Sequence, residues 1–132
     1  MVVRKYIGNK LPVKPRLLIQ QRFFDNLHTI EMYGATLFGE KVAEQFHKGI
    51  MARITALPSL PKSNPKFRFV PSTEKKEYRV ILYKKFYVVY SVTSRTIKVL
   101  TIIHQATNPK KLRKIKSKES NEKTHFNPSR RK

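Results

Sequence analysis

The fold is decided by the stretch YRVILYKKFYVVYSVTSRTIKVLTIIH, which spans residues 78–104. β-Branched and aromatic residues dominate it, and short polar breaks at residues 84–85 and 93–95 divide it into three runs. This pattern predicts three antiparallel strands joined by tight turns. The predicted strands cover residues 78–83, 86–92 and 96–104. We therefore expect a small, twisted antiparallel sheet at the centre of the fold.

Two predicted helices precede this stretch. Apolar residues recur at helical spacing from Phe23 onwards, and Gly34 is the predicted end of the first helix. A longer helix is predicted over residues 36–57, because its apolar residues recur at intervals of three or four and Pro58 follows it. Its apolar stripe consists of Val42, Phe46, Ile50, Ile54 and Leu57. Helices followed by strands predict an α+β domain, with an N-terminal helical hairpin packed on one face of the sheet.

The remaining segments complete the predicted organisation. Residues 1–15 are predicted to be an extended basic arm, and residues 16–20 an edge strand at the start of a domain that covers residues 16–112. Residues 66–70 alternate basic and aromatic side chains, which predicts a half-exposed strand. In residues 113–132 apolar residues become rare, so this basic tail is predicted to be disordered.

The charge of the chain calls for a polyanionic partner. Lys and Arg number 29 against 8 Asp and Glu, which gives a net charge of +21. Residues 110–132 carry only +8 of it, so the body of the chain is itself basic. Nucleic acid, an anionic membrane surface or an acidic protein would satisfy this charge.

Other classes of protein are disfavoured by the composition. The chain has no cysteine, and its four histidines lack metal-ligand spacing, so we expect neither disulfides nor a bound metal or other cofactor. No apolar run approaches the ~18 residues that a membrane span needs. The N-terminus lacks the apolar region of a secretory signal. We therefore expect a cytoplasmic protein without a membrane partner.

The ordered segments resemble the RelE/ParE superfamily of toxins. The resemblance rests on the helix end at residues 54–58, the strand runs at residues 78–82, 86–92 and 97–104, and the closing segment Asn108-Pro109-Lys110-Lys111-Leu112. It implies the toxin of a type II toxin–antitoxin system, with a cognate acidic antitoxin as partner. The antitoxin would use the apolar grooves flanked by Lys and Arg.

The resemblance leaves two activities open. RelE-like members cut mRNA on the ribosome, whereas ParE-like members inhibit DNA gyrase by binding it. RNA cleavage of this kind needs no metal, but it needs a base, an acid and cations around one phosphate. Arg79 stands where RelE-like enzymes carry a basic residue. Ile81 and Tyr87 stand where they carry two more.

We take ribosome-dependent mRNA cleavage as the first hypothesis and gyrase inhibition as the alternative. The candidate catalytic residues are Arg79, His104 and Tyr87. His104 is a candidate acid or base near neutral pH, and Tyr87 could stack on a base. By strand alternation, His104 should share a face with Leu100 and Ile102.

Basic side chains in the strand-end loops are the candidate nucleic-acid contacts, because such loops can cluster at one edge of a meander. They are Lys66, Arg68, Lys75, Lys76, Lys84, Lys85, Lys110 and Lys111. A plainer interpretation makes Arg79 a sheet-edge residue, His104 a strand-end residue bonded to backbone, and the Phe67–Phe69 pair part of the core. A third function, a basic nucleic-acid-binding protein without catalysis, would depend on the arm and tail.

Overall fold

A computed structural model describes residues 14–115 and 124–126. The elements in chain order are β1 (Arg16–Gln20), α1 (Gln21–Phe38), α2 (Glu40–Thr55), β2 (Glu77–Tyr83), β3 (Phe86–Val92), β4 (Thr96–His104), α3 (Pro109–Arg113) and β5 (Thr124–Phe126). The predicted α+β order is confirmed, and the three predicted strands of the meander each agree with β2, β3 or β4 to within one residue.

The five strands form one sheet in the order β2-β3-β4-β1-β5. The meander from β2 to β4 is antiparallel as predicted, but β1 pairs with β4 in parallel, with Arg16 opposite Thr96. The strand predicted over residues 16–20 is confirmed, but it does not lie at the edge of the sheet, because β5 pairs with the other side of β1. Parallel pairing is possible because residues 21–95 form a long crossover between the two strands.

The helical hairpin packs on one face of the sheet and builds the larger hydrophobic core. The buried members are Leu17, Ile19, Phe23, Leu27, Ile50, Ile54, Leu57, Ile81, Val88, Tyr90, Val92, Ile97, Val99 and Ile102. Each fully buried side chain of this size stabilises the fold by about 1.5–3 kcal/mol. The predicted stripe of α2 is thus core at its C-terminal end, whereas Val42 at its other end is exposed.

The turn of the hairpin lies five residues later than predicted. α1 continues through Gly34 to Phe38, and Gly39 alone connects it to α2. Gly39 has a φ of 97°, a conformation that a residue with a side chain rarely adopts, so it is the residue that ends the helix. The predicted helix over residues 36–57 is correspondingly shortened to Glu40–Thr55.

A smaller core covers the opposite face of the sheet. Phe67 and Val70 from the loop before β2, and Leu112 of α3, pack there against sheet residues. The predicted strand at residues 66–70 is wrong, because only Lys66 pairs with the sheet, through an isolated bridge to Arg79. Pro65 and Pro71 flank this segment, and neither can donate the hydrogen bonds that would extend a ladder. The interpretation of Phe67 as a core residue is confirmed.

A bulge interrupts the alternation of β4. Val89 pairs with Thr101 and Tyr90 with Val99, which leaves Leu100 without a partner on β3. Leu100 therefore belongs to the smaller core, whereas Ile102 belongs to the larger one. The prediction that His104 shares one face with both residues is wrong for this reason.

The two predicted terminal segments lie largely outside the described residues. Of the predicted arm, residues 1–13 are outside, and Lys14 and Pro15 have no regular secondary structure. Of the predicted disordered tail, Arg113 ends α3 and Thr124–Phe126 form β5, so these residues have regular structure. Residues 116–123 and 127–132 lie outside. Within the described part of the chain, no helix is long and apolar enough to cross a membrane.

Candidate functional site

Arg79 on β2 is held by a set of hydrogen bonds that occupies three nitrogens of its guanidinium. Nε and Nη2 both contact Oε1 of Glu77, at 2.9 and 2.8 Å. Nη1 donates to the carbonyl oxygens of Lys62 at 3.2 Å and Asn64 at 2.6 Å. The side chain is only 13 % exposed. Arg79 therefore fastens the proline-rich connector, residues 58–65, to the first strand of the meander.

Glu77 and Tyr90 complete this arrangement, which we call the connector clamp and define as Glu77, Arg79, Tyr90, Lys62 and Asn64. The Tyr90 hydroxyl donates to the carbonyl of Pro61 at 3.0 Å and accepts from Asn64 Nδ2 at 3.3 Å. Lys62 Nζ lies 3.5 Å from Glu77 Oε2. The clamp thus uses five polar side chains to hold a backbone segment that belongs to no helix or strand.

The electrostatics of the clamp follow from this packing. The hydrogen bond from Arg79 lowers the pKa of the Glu77 carboxyl, with further charge from Arg79 and Lys62 outweighing the opposing effect of burial. Burial raises the pKa of the Tyr90 hydroxyl, which keeps it a neutral donor. The ionised Glu77 carboxylate and the Arg79 guanidinium form an ion pair and neutralise each other's charge. Arg79 is therefore a poor phosphate ligand.

Tyr87 lies on the opposite face of the sheet. Its half-buried ring packs against the smaller core and meets the Phe67 ring edge-on, with the centroids 5.7 Å apart. The adjacent Phe86 points to the larger core, where its ring contacts Phe46. Tyr87 is therefore separated from Arg79 by the thickness of the sheet.

His104 is exposed at the end of β4. Its Nδ1 accepts a hydrogen bond from the backbone N–H of Ala106 at 3.0 Å, and its ring meets Phe86 edge-on at 5.3 Å. A strand-end histidine bonded to backbone is the plainer of the two sequence interpretations. The free Nε2 side of the ring is still available for proton transfer at this end of the sheet.

The three candidate catalytic residues are not brought together. Arg79 pairs across the sheet with Tyr90, and His104 pairs with Phe86, which lies four residues away along β3. That spacing corresponds to about 13 Å. Metal-free phosphoryl transfer needs its acid, base and cation around one phosphate, so these three residues cannot serve one reaction in this arrangement.

The candidate basic residues divide between the two ends of the sheet. Lys75 and Lys76 precede β2, whereas Lys84 and Lys85 form the turn after it, so about 23 Å of strand separates the pairs. The second pair lies near His104, because the backbone N–H of the adjacent Gln105 donates to the Lys85 carbonyl at 2.9 Å. The prediction of a single cluster at one edge is therefore wrong.

The other four basic residues lie on the face of the smaller core. Lys66 forms the bridge to β2, and the Arg68 guanidinium lies 4.7 Å from the centre of the Phe69 ring. Lys110 and Lys111 belong to α3, which Asn108 caps by accepting from the Lys110 N–H at 2.9 Å. Lys111 lines a cleft between α1, β4 and α3, together with Arg22 and Lys114.

Some contributions could not be seen in the sequence. Asn26 on α1 donates to the Thr101 hydroxyl at 2.7 Å, beside the bulge, and so ties the hairpin to the sheet. The role of Lys62 could not be predicted from the sequence, because it depends on a contact with Glu77, 15 residues further along the chain. Among the described residues, no group of three His, Cys, Asp or Glu side chains could hold a metal ion.

Comparison with known proteins gives a matching family model and similar solved structures. The family model described as "ParE toxin of type II toxin-antitoxin system, parDE" matches residues 17–109. A chain of the structure entitled "Chromosomal ParDE TA system from P. aeruginosa" superposes with a TM-score of 0.57 at 15 % identity, covering 69 % of this chain and 96 % of that one. At this identity the match shows a shared fold. No curated protein sequence matches.

Proposed function

The chain belongs to the ParE toxin family of type II toxin–antitoxin systems, and from that premise we propose that it stops growth by binding DNA gyrase and not by cutting mRNA. One observation carries this choice: Arg79, the cation that a RelE-like site would need, is already used by the connector clamp. Glu77 and the two backbone carbonyls occupy four of the five N–H donors of this guanidinium, so it could bind a phosphate in a bidentate manner only by giving up some of these bonds.

The same premise supports an antitoxin as the partner. We propose that it is acidic, because the body of the toxin is basic even without its tail. The lysine pairs at the two ends of β2 would attract carboxylates over distances of about a Debye length, ~8 Å at physiological salt. Binding of this kind should slow as salt is added.

A second candidate activity has its own observation. His104 and the Lys84–Lys85 turn lie at one end of the sheet and together offer an acid or base and two cations. An RNA-cleaving site built there would use neither Arg79 nor Tyr87. A substitution of His104 should therefore abolish RNA cleavage by such a site and leave gyrase inhibition unchanged.

The test compares three purified proteins, namely the wild type, His104→Ala and Tyr87→Phe, in two reactions. The first is supercoiling by gyrase, and the second is cleavage of a reporter mRNA on translating ribosomes. We expect all three proteins to inhibit supercoiling equally and to leave the mRNA intact. Ribosome-dependent cuts by the wild type that disappear in folded His104→Ala would overturn the proposal.

A basic protein can also inhibit gyrase merely by coating DNA, so the assay needs a matched control. Relaxation of the same plasmid by an unrelated topoisomerase should continue at toxin concentrations that stop gyrase. Equal inhibition of both enzymes would favour the third function, non-specific nucleic-acid binding.

A further inference from the structure

The end of the α1–α2 hairpin exposes large apolar side chains. Four lie in the last two turns of α1 and the fifth in the first turn of α2, and their exposed fractions range from 48 % to 69 %. We call this surface the hairpin tip, and its residues are Met32, Tyr33, Leu37, Phe38 and Val42. Several large apolar side chains exposed at one end of a domain mark an interaction surface more often than a single exposed one does.

The hairpin tip projects beyond the body of the protein. Ile30 on α1 and Phe46 on α2 are the last side chains of the hairpin that pack against the larger core. Phe38 lies eight residues from each of them. At 1.5 Å per residue, the tip extends about 12 Å further. None of the residues 28–49 is buried, so the core of the domain gives these helical turns little support.

The charge of the hairpin differs sharply from that of the rest of the chain. Helices α1 and α2 together contain four acidic and four basic side chains, although the whole chain carries +21. A polyanion such as nucleic acid or an acidic antitoxin would therefore gain little electrostatic attraction at the tip. It would be drawn to the sheet ends and loops, where the positive charge lies.

The distribution of charge favours a second copy of this chain as the occupant. Two bodies of high positive charge repel each other wherever their basic surfaces meet. Near the tip both signs occur close together, with Glu40, Lys41, Glu44 and Lys48 in the first turns of α2. Such a mixed surface is complementary to itself when it meets a copy across a two-fold axis.

We propose that the hairpin tip is a self-association surface, at which two copies of the toxin pack their hairpins together as a four-helix contact. Met32, Tyr33, Leu37, Phe38 and Val42 would form its apolar centre, surrounded by the mixed charges of α2. The small area at the tip and the repulsion between the two positively charged bodies lead us to expect a dimer of roughly micromolar affinity.

The first measurement is sedimentation equilibrium of the full-length toxin over a range of concentrations. The wild type should form a dimer, and Phe38→Glu should weaken it by more than about tenfold, since it places a charge at the apolar centre. Leu82→Glu is the matched control, because Leu82 is 51 % exposed on β2, away from the tip, and its variant should associate like the wild type. A wild type that stays monomeric at every concentration overturns the proposal, as does equal weakening by both variants.

Salt provides a second, independent criterion. Screening removes the repulsion between the two bodies, so the dimer should become tighter as the ionic strength rises. Association through the basic surfaces, for example bridging by residual nucleic acid, would become weaker instead. If dimerisation weakens with salt, the contact is not at the tip. Circular dichroism of each variant verifies that the exposed substitutions leave the fold intact.

Discussion

The hydroxyl of Tyr83 occupies the space that a Cβ atom on Gly49 would need. Tyr83 ends β2 and Gly49 lies in the middle of α2, so the absence of a side chain at Gly49 lets helix and sheet approach closely. Even the ring carbon Cζ of Tyr83 would be only 2.9 Å from an added Cβ. The Tyr83 ring is further restrained by edge-on contact with Phe46 at 5.5 Å.

Gly49→Ala should therefore destabilise the fold by about 2 kcal/mol, in spite of the better helix propensity of alanine. Urea denaturation gives the free energy of unfolding. The cost should fall when Tyr83→Phe removes the hydroxyl, so that the double variant is more stable than the two single changes predict. Gly34→Ala is the control: a Cβ there meets nothing within 4 Å, and this variant should be stabilised by about 0.5–1 kcal/mol.

Arg79→Ala should lower the free energy of unfolding by about 2 kcal/mol, because it leaves Glu77 and two connector carbonyls without their charged donor. Arg79→Lys should recover only part of this, since an ammonium cannot span the same fork of acceptors. Arg95→Ala, at an exposed turn, should be nearly neutral. Toxicity of the Arg79 variants should decline in proportion to the folded fraction; complete loss of toxicity from a fully folded variant would mean that Arg79 acts directly on a target.

Acid should weaken the connector clamp through Glu77. The pKa of this carboxyl is below its ordinary value of 4.5 in the folded protein, so the folded state holds the proton less tightly than the unfolded chain. Its contribution to stability is complete above about 4.5 and is lost as the pH falls through the lowered folded pKa. Melting temperatures measured between about pH 3 and pH 6 should therefore fall more steeply for the wild type than for Glu77→Gln. Parallel curves would contradict this.

Asn26→Ala should cost about 1–2 kcal/mol. The substitution removes the donor to the Thr101 hydroxyl. Thr101 is only 1 % exposed, so its hydroxyl oxygen is left buried without that hydrogen bond. Thr29→Ala on the same helix, where the hydroxyl donates only to the Asp25 carbonyl of its own helix, should change the stability little. Hydrogen exchange should show faster opening near the β4 bulge in Asn26→Ala alone.

The sequence predicts the meander well because the composition of each strand and the polar turns between them are visible locally. β-Branched and aromatic residues fill β2, β3 and β4, and the two-residue break at Lys84–Lys85 coincides with the turn, where Lys84 has a φ of 54°. The α2 stripe was recognised for the same reason, since Ile50, Ile54 and Leu57 repeat with helical periodicity.

The wrong predictions concern features that are determined by tertiary contacts and backbone conformation. Two glycines could each end α1, and only the backbone at Gly39 shows which one does. The bulge that turns Leu100 away from Ile102 has no mark in the alternation of β4. The sequence marks Arg79 as a cation, but two of its three partner residues lie in a connector without regular secondary structure. Only the structure shows that Arg79 holds this connector, through hydrogen bonds to the carbonyls of Lys62 and Asn64.

The parallel pairing of β1 with β4 sets an order of events during synthesis. Arg16 and its partner Thr96 are 80 residues apart, and β4 must itself be paired with β3 before it offers a stable edge. β1 is thus synthesised long before the strand with which it pairs, and it can join the sheet only after β4 has emerged from the ribosome. The α1–α2 hairpin can form earlier from contacts between neighbouring segments, whereas the pairing of β1 must wait until β4 has been synthesised.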